Sequence, residues 1–376
     1  MMNTCASASR CGLGVVVLLA TLALAHVASA DETDNFYLPL DPDFADLGGF
    51  LEAIHTRAIE ESVRLVNNRI ERALNLKDPA KRARVLAQCH APDLLAEVVV
   101  GQFGSRLTET MRIEQALQDS WAQRSFPEKM VIHSDISMNL QGRAALDPRA
   151  VLMFFQAGTI KAFGVYFGTD KILHFHQVGY GYFTRYRSLR QGGLAPEAAR
   201  EAVLQYFGKE AFLAEERGFG TITTGIFSNA DMAANNAGFK FFLNLTEPVM
   251  FLGEKREPLV VRCGVFWRVN EHVRPQSGWF GGFVSDHWNE ALNPNLYSSS
   301  MRPHIQNILQ ERAGHIVEFY TRKDHRPDDP AYFDNLARTL STQASEPYGH
   351  SGQVELLMTI GNTCMPVLQR TEAKGH

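Results

Sequence analysis

The sequence predicts a mainly α-helical protein, built as a single large helical domain with one or two minor short strands. Apolar residues recur at three- and four-residue steps over long stretches, and several prolines stand where a helix would begin. Hydrophobic residues make up 45% of the 376 positions, which is enough for a large buried core and excludes a disordered chain. No internal repeat or linker divides the chain, so we expect one globular domain over residues 31–376.

The first 30 residues predict a secretory signal peptide. Arg10 is their single charge, an apolar run from Gly12 to Leu24 follows, and Ala28 and Ala30 place small residues where a signal peptidase reads them. The apolar run is too short for a stable membrane span. We therefore expect an exported protein, periplasmic or extracellular, with no integral membrane span after cleavage.

Residues 31–123 are predicted to form a helical layer. Apolar residues from Asp41 to Leu76 follow a helical period, and Pro79 and Pro92 stand in the first turns of two further helices. The segment from Ser105 to Trp121 is amphipathic and predicts a fourth helix.

Residues 124–376 are predicted to form an aromatic-rich helical centre and a C-terminal part. Residues 129–140 alternate like a short strand, and helix signals return over residues 170–190. A further helix is expected to begin at Pro196 and to run through Phe207.

The later elements follow from caps and residue types. Ser228 with Asp231 three positions on predicts the start of a helix over residues 232–245. Residues 258–269 are β-branched and aromatic, which makes them the best strand candidate. Pro303 is expected to open a last long helix that runs to Tyr320.

Charge and cysteine content exclude several classes of protein. A net charge of −4 and an isoelectric point near 6.4 argue against a nucleic-acid-binding protein. Cys89, Cys263 and Cys364 remain after signal cleavage, so at most one disulfide is expected, with its pairing open.

The most unusual polar segment runs from Asp170 to His176. If Thr169 caps a helix, Asp170 and His174 lie one turn apart on one face, where a carboxylate can orient an imidazole or share a metal with it. The plainer interpretation is that Asp170 favours the helix dipole and that His174 is an ordinary core histidine.

The motif D-K-x-x-H-F, formed by Asp170, Lys171, His174 and Phe175, resembles the signature of the VanZ-like teicoplanin-resistance membrane family and of some small exported envelope proteins. This chain differs from the VanZ-like pattern because it lacks membrane spans. The resemblance implies a functional role for Asp170, Lys171 and His174, but it implies no particular activity.

Other polar residues are candidates for the same site. Asp170, Lys171, His174, Asp231 and His287 are predicted to converge as catalytic residues, since isolated buried charges are costly without partners. A divalent-metal site is predicted from four residues, although their spacing matches no compact ligand motif: His174, His176, Asp286 and His287.

A pair of carboxylates is a further alternative. Glu215 or Glu216, together with Asp231, would suit general acid–base work on a glycosidic bond. A simpler explanation is that Asp231 belongs to a helix cap and that the two glutamates lie on a solvated face.

Two functions are consistent with these patterns. The first is an exported bacterial envelope hydrolase that uses the Asp/His polar cluster. The alternative is a non-catalytic periplasmic binding or scaffold protein with an aromatic-lined pocket. The partner is expected to be an unknown envelope component or small-molecule ligand, with no nucleic acid.

Overall fold

The protein is mainly α-helical, as predicted. The computed structural model describes residues 45–103, 159–207, 226–270, 272, 278–299, 302–342 and 354–374. Of these residues, 65% are helical and only 12% lie in short strands, so the helices build most of the fold. The predicted signal peptide, the helix expected over residues 105–121 and the strand expected over residues 129–140 lie outside the described residues.

The N-terminal part contains the three predicted helices α1 (Gly48–Leu74), α2 (Pro79–Cys89) and α3 (Pro92–Gly101). The Asp78 carboxylate accepts hydrogen bonds from two backbone N–H groups at the start of α2, and proline occupies the first turn of both α2 and α3. One face of α1 is buried in the core along its whole length, because its apolar residues recur with the helical period.

A hairpin and a long helical run follow. Strands β1 (Thr159–Ala162) and β2 (Val165–Gly168) pair antiparallel. After β2, the chain continues as α4 (Asp170–Leu173), a π-helical turn (His174–Val178) and α5 (Gly179–Gln191).

Helix α6 (Pro196–Gln205) comes next, and helix α7 (Asn229–Asn244) lies at the centre of the fold, with every one of its residues buried. It begins after strand β3 (Ile226–Phe227), which pairs with β8 (Leu296–Tyr297). The Ser228 hydroxyl accepts a hydrogen bond from the Asp231 N–H, which confirms the predicted cap.

The structure contains more short strands than the sequence predicted. Strand β4 (Val249–Phe251) pairs with β5 (Glu254–Arg256), and β6 (Val260–Cys263) pairs with β7 (Phe266–Val269). The best strand candidate, residues 258–269, is therefore a hairpin. It reverses beside Gly264, whose φ of 61° is a left-handed conformation that suits glycine.

The C-terminal helices are α8 (Arg302–Glu311), α9 (Ala313–Glu318), α10 (Pro330–Thr342) and α11 (Met365–Lys374). The single long helix predicted from Pro303 to Tyr320 is interrupted at Arg312, where ψ is close to zero, and α9 continues into a π-helical turn, Phe319–Lys323. A third π-helical turn, Ile360–Cys364, precedes α11. Single 3₁₀ turns occupy Gly281–Phe283, Asp286–Trp288 and Val354–Leu356.

Two apolar cores hold these elements together. The larger core joins α1 and α3 to the aromatic residues of the centre, among them Phe175 and Trp279. The smaller core lies among the C-terminal helices and includes Phe333 and Tyr320. Cys89, Cys263 and Cys364 are all free thiols, so none of them pairs in a disulfide.

None of the helices in the described ranges combines the length and the apolar character needed to cross a bilayer.

Candidate functional site

The centre of the fold contains a lysine side chain that is buried among three carboxyl groups. The Lys171 Nζ lies 2.7 Å from Asp170 Oδ2, 2.5 Å from Asp231 Oδ1 and 2.5 Å from Glu290 Oε1. Lys171 and Glu290 are 0% exposed, and both aspartates are nearly so. We call these four side chains, together with His174, the Lys171 cluster.

Three separate elements supply this cluster. Asp170 and Lys171 begin α4 directly after strand β2, and Asp231 lies in the first turn of α7. Glu290 follows the 3₁₀ turn Asp286–Trp288. The cluster therefore depends on contacts between residues that are about 60 to 120 positions apart in the chain.

A close approach of two backbones fixes the relative position of α7 and the π-helical turn. A Cβ on Gly238 would lie 1.9 Å from the Phe175 carbonyl oxygen, and one on Gly179 would lie 2.7 Å from the Gly238 Cα. Glycine is needed at both positions because any side chain would force these backbones apart. His174 sits one residue before this contact, so the contact sets its distance from α7.

His174 is held between two side chains of α7. Its Nδ1 lies 3.0 Å from Asn235 Oδ1, and its Nε2 lies 3.5 Å from Asp231 Oδ2. Asn235 Oδ1 is an acceptor, so Nδ1 carries the proton and donates it to that oxygen. The other ring nitrogen, Nε2, faces Asp231.

Burial and mutual attraction control the protonation of this cluster. Burial by itself lowers the pKa of Lys171, but attraction to Asp170, Asp231 and Glu290 outweighs it and leaves the pKa well above its ordinary value. Burial raises the pKa of Glu290 well above its usual range, and it raises the pKa of Asp170 against the opposing attraction of Lys171. These shifts favour the ammonium form of Lys171 and the protonated form of Glu290.

Four of the five predicted catalytic residues come together: Asp170, Lys171, His174 and Asp231. His287 is the exception, since its Nδ1 instead lies 3.0 Å from the Ser285 hydroxyl. Burial lowers the pKa of His287 to about 4, which keeps this ring neutral.

The predicted metal quartet is not assembled. Asp286 forms a bidentate ion pair with Arg326, and His176 bonds to His55. Two residues that are two positions apart on a helical backbone point in roughly opposite directions, which explains why His174 and His176 diverge. In the described part of the chain, the one group with ligand atoms close enough for a metal ion consists of Asp170, His174 and Asp231, whose atoms lie within 4.8 Å of one another.

His176 belongs to a second buried polar pair, which the sequence did not reveal. Its Nε2 lies 2.8 Å from His55 Nε2, and His55 Nδ1 lies 2.6 Å from the Leu51 carbonyl oxygen. The carbonyl can only accept, so His55 Nδ1 donates to it and His176 Nε2 donates to His55 Nε2. Phe103 and Phe280 stack on these rings.

Two residues of the Lys171 cluster have a role beyond the one that the sequence indicated. Glu290 is not among the predicted site residues, yet its carboxyl contacts Lys171. Asp231 had been explained as part of a helix cap; its backbone N–H does bond to Ser228, while its carboxylate contacts Lys171 and His174. The alternative pair Glu215 and Glu216 lies outside the described residues.

Two surface depressions occur in the N-terminal part, and neither includes a residue of the Lys171 cluster. The larger, about 620 Å³, lies between α1, α2 and α3, and the smaller, about 450 Å³, lies beside Phe50 and Phe103.

Comparison of the chain with profiles of known protein families, with curated proteins and with solved structures finds no match in any of the three. The resemblance of the D-K-x-x-H-F motif to VanZ-like proteins therefore stays a prediction, and the geometry of the cluster is the basis for any functional argument.

Proposed function

We propose that this chain is an exported hydrolase of the bacterial envelope and that the Lys171 cluster is its reaction centre. One observation carries the proposal: a fully buried ammonium group contacts three carboxyl groups, one of which also faces an imidazole. Burying so many ionisable groups is costly, and apolar residues of similar size would stabilise the core at least as well. Such clusters are characteristic of catalytic sites.

The cluster offers an acid and a base in different protonation states. Burial raises the pKa of Glu290 and so favours its protonated form, which can donate a proton to a leaving group. Asp231 with His174 can accept the proton of an attacking water. Lys171 stays charged and stabilises negative charge that develops in the transition state.

The hydrolysis then balances in protons. Water attacks the scissile centre and loses a proton to the Asp231–His174 pair, while the bond to the leaving group breaks and that group takes the Glu290 proton. Transfer of the gained proton back to Glu290 restores the starting state.

Export is part of the same proposal. Three features of residues 1–30 support it: the positive charge of Arg10, the apolar run that follows, and the small residues Ala28 and Ala30 at the expected cleavage site.

The alternative is a non-catalytic periplasmic binding or scaffold protein. The burial of the whole cluster favours this alternative, because a substrate has to reach side chains that are at most 4% exposed. The two functions differ in whether any bond is broken.

A substrate panel tests the proposal. The secreted chain is incubated with chromogenic esters, amides, phosphoesters and glycosides, beside the isosteric variant Asp231→Asn and the control Asp93→Asn, which alters an ion pair with Arg187 on the surface. We expect turnover of one bond class, reduced at least about 100-fold in Asp231→Asn and unchanged in the control. Absence of turnover by the folded wild-type chain, or equal turnover by Asp231→Asn, would contradict the proposal and favour the binding role.

A further inference from the structure

The distance between His174 Nε2 and Asp231 Oδ2 matches the spacing of two ligand atoms bound to one metal ion. The separation of 3.5 Å between His174 Nε2 and Asp231 Oδ2 exceeds the usual N–H···O range of about 2.7–3.2 Å. Ligands that surround a zinc ion tetrahedrally at about 2.0–2.2 Å lie about 3.4 Å from one another. The observed separation matches this second distance.

The ring of His174 is oriented as a metal ligand. Asn235 accepts a hydrogen bond from Nδ1, so Nε2 is the ring nitrogen that faces Asp231 and is placed to bind a cation. A metal-bound histidine commonly donates its other ring N–H to such an oxygen, which fixes both tautomer and orientation.

The carboxylates are arranged so that Lys171 and a cation could share them. Lys171 contacts Oδ1 of Asp231, whereas Oδ2 of the same carboxylate faces His174. The third ligand, an oxygen of Asp170, lies within 4.8 Å of the other two ligand atoms. Contraction around one ion requires movements on the order of 1 Å.

A separate observation is that one buried polar atom of the cluster lacks a partner. Three carboxyl groups contact the single ammonium of Lys171. Glu290 Oε2 is buried and has no hydrogen-bond partner among the described residues. Buried oxygens of this kind are normally paired with a hydrogen-bond donor or a metal.

We propose that Asp170, His174 and Asp231 bind one divalent transition-metal cation, of which zinc fits best, with a fourth position left for water. One imidazole and two carboxylates are a ligand set that zinc accepts, and three protein ligands with one open position are characteristic of catalytic zinc sites. This set replaces the sequence-based quartet, with which it shares only His174.

The binding itself stands on geometry alone, whereas its role in catalysis rests on the proposed hydrolase function. With zinc bound to Asp231 and His174, the ion would replace this pair in activating the attacking water, because a zinc-bound water ionises near neutral pH and becomes a nucleophile. Asn235 is then a positioning residue, because it acts through His174.

Calorimetric titration with zinc sulfate tests the site. The secreted chain is first treated with a chelator. We expect one equivalent of zinc to bind, at least about 100-fold more weakly in His174→Ala and Asp231→Asn, and about 10–100-fold more weakly in Asn235→Ala. His315→Ala, on an exposed face of α9, is the matched control and should bind as the wild type does.

Cobalt provides a second readout, since a cobalt-loaded site with this ligand set should show visible absorption bands that His174→Ala loses. Folding of each variant is checked by circular dichroism, and the isosteric Asp231→Asn keeps the test decisive if His174→Ala does not fold.

The outcomes separate the two proposals. Stoichiometric zinc without hydrolysis of any substrate would support the site and contradict the hydrolase. Hydrolysis that is undiminished in the chelator-treated chain, with no zinc bound, would overturn the site and leave the hydrolase standing. Equal zinc affinity in His174→Ala and the wild type would also overturn the site.

Discussion

His55 and His176 face each other Nε2 to Nε2 across 2.8 Å, and both rings are neutral. Burial lowers the pKa of His55 to about 3, although its bond to the Leu51 carbonyl acts in the opposite direction. Burial and repulsion from His55 lower the pKa of His176 well below its usual value. A neutral pair of this kind ties the N-terminal helix α1 to the π-helical turn beside the Lys171 cluster, and it does so only while the rings are unprotonated.

The first prediction is that acid destabilises the protein through this pair. Between pH 6.5 and about 3 the unfolded chain binds a proton at His55 that the folded chain does not, so the free energy of unfolding falls as pH falls. His55 alone contributes about 3 kcal/mol of this loss between pH 7 and 4. Urea unfolding at several pH values measures this fall in the free energy of unfolding.

Two variants isolate this contribution. His55→Phe should reduce the pH dependence by roughly that amount, whatever its effect on stability at pH 7. His315→Gln, which changes an exposed histidine, should leave the pH dependence unchanged. An identical pH dependence in His55→Phe and the wild type would contradict the prediction.

The second prediction concerns Lys171. Lys171→Met should reduce the free energy of unfolding by about 3–5 kcal/mol, because it leaves three buried carboxyl groups without their cation. Lys255→Met, at an exposed ion pair with Glu257, should change it by less than about 0.5 kcal/mol. Denaturant unfolding measures both.

A double variant checks the cause. Adding Asp231→Asn to Lys171→Met should restore part of the stability, since it removes a buried carboxylate that has lost its cation. A Lys171→Met chain that unfolds at the wild-type urea concentration would show that the ammonium is not holding the cluster together.

The third prediction tests the backbone contact at Gly238. Gly238→Ala should destabilise the protein by about 3 kcal/mol or more, because the new methyl group overlaps the Phe175 carbonyl. Gly314→Ala, in α9, meets nothing closer than 3.8 Å and should be neutral or stabilise by up to about 1 kcal/mol. Thermal or urea unfolding of Gly238→Ala and Gly314→Ala measures the difference. Equal stability of the two variants would show that the backbones of α7 and the π-helical turn tolerate a wider separation.

The fourth prediction concerns Glu52 in α1. Its carboxylate accepts hydrogen bonds from the backbone N–H groups of Trp279, Phe280 and Gly281, at 2.6, 2.9 and 3.2 Å. Glu52→Ala should destabilise by about 2–4 kcal/mol and speed hydrogen exchange at these amides, since they lose their acceptor in a buried place.

The exposed Glu60→Gln is the control for Glu52 and should change neither quantity. Amides of residues 279–281 that exchange at the wild-type rate in Glu52→Ala would mean that another group holds this segment.

The fifth prediction concerns export. The signal-like residues predict that the secreted chain begins at Asp31, because a signal peptidase cleaves after the small residue Ala30. N-terminal sequencing of the secreted protein checks this. An Ala28→Asp variant should be processed poorly, and a secreted wild-type chain that begins at Met1 or Met2 would contradict the prediction.

The sequence predicted the local part of the fold and of the site. Helical period and proline position placed α1, α2, α3 and α6, and the spacing of Asp170 and His174 correctly put both in one cluster. These features depend on residues within one or two helical turns of each other.

What the sequence left open depends on distant contacts. Glu290 follows a 3₁₀ turn without any periodic pattern, so its approach to Lys171 is set by packing alone. His55 lies 121 residues before His176, and nothing near either residue in the chain points to the other. The π-helical turn His174–Val178 changes the helical register that the sequence pattern implies.

The polar partners of helix α1 lie far along the chain from α1, and this affects the order of folding. His55 bonds to His176, Asn67 bonds to the backbone of Trp267, and Glu52 bonds to residues 279–281. Contacts between such distant positions form slowly, because a long stretch of chain has to be enclosed before any of them can form. During synthesis or translocation from the N-terminus, α1 therefore stays incomplete until about three quarters of the chain has emerged. Over that interval its apolar face stays partly uncovered, so truncation before residue 279 should yield an aggregation-prone chain rather than a smaller folded protein.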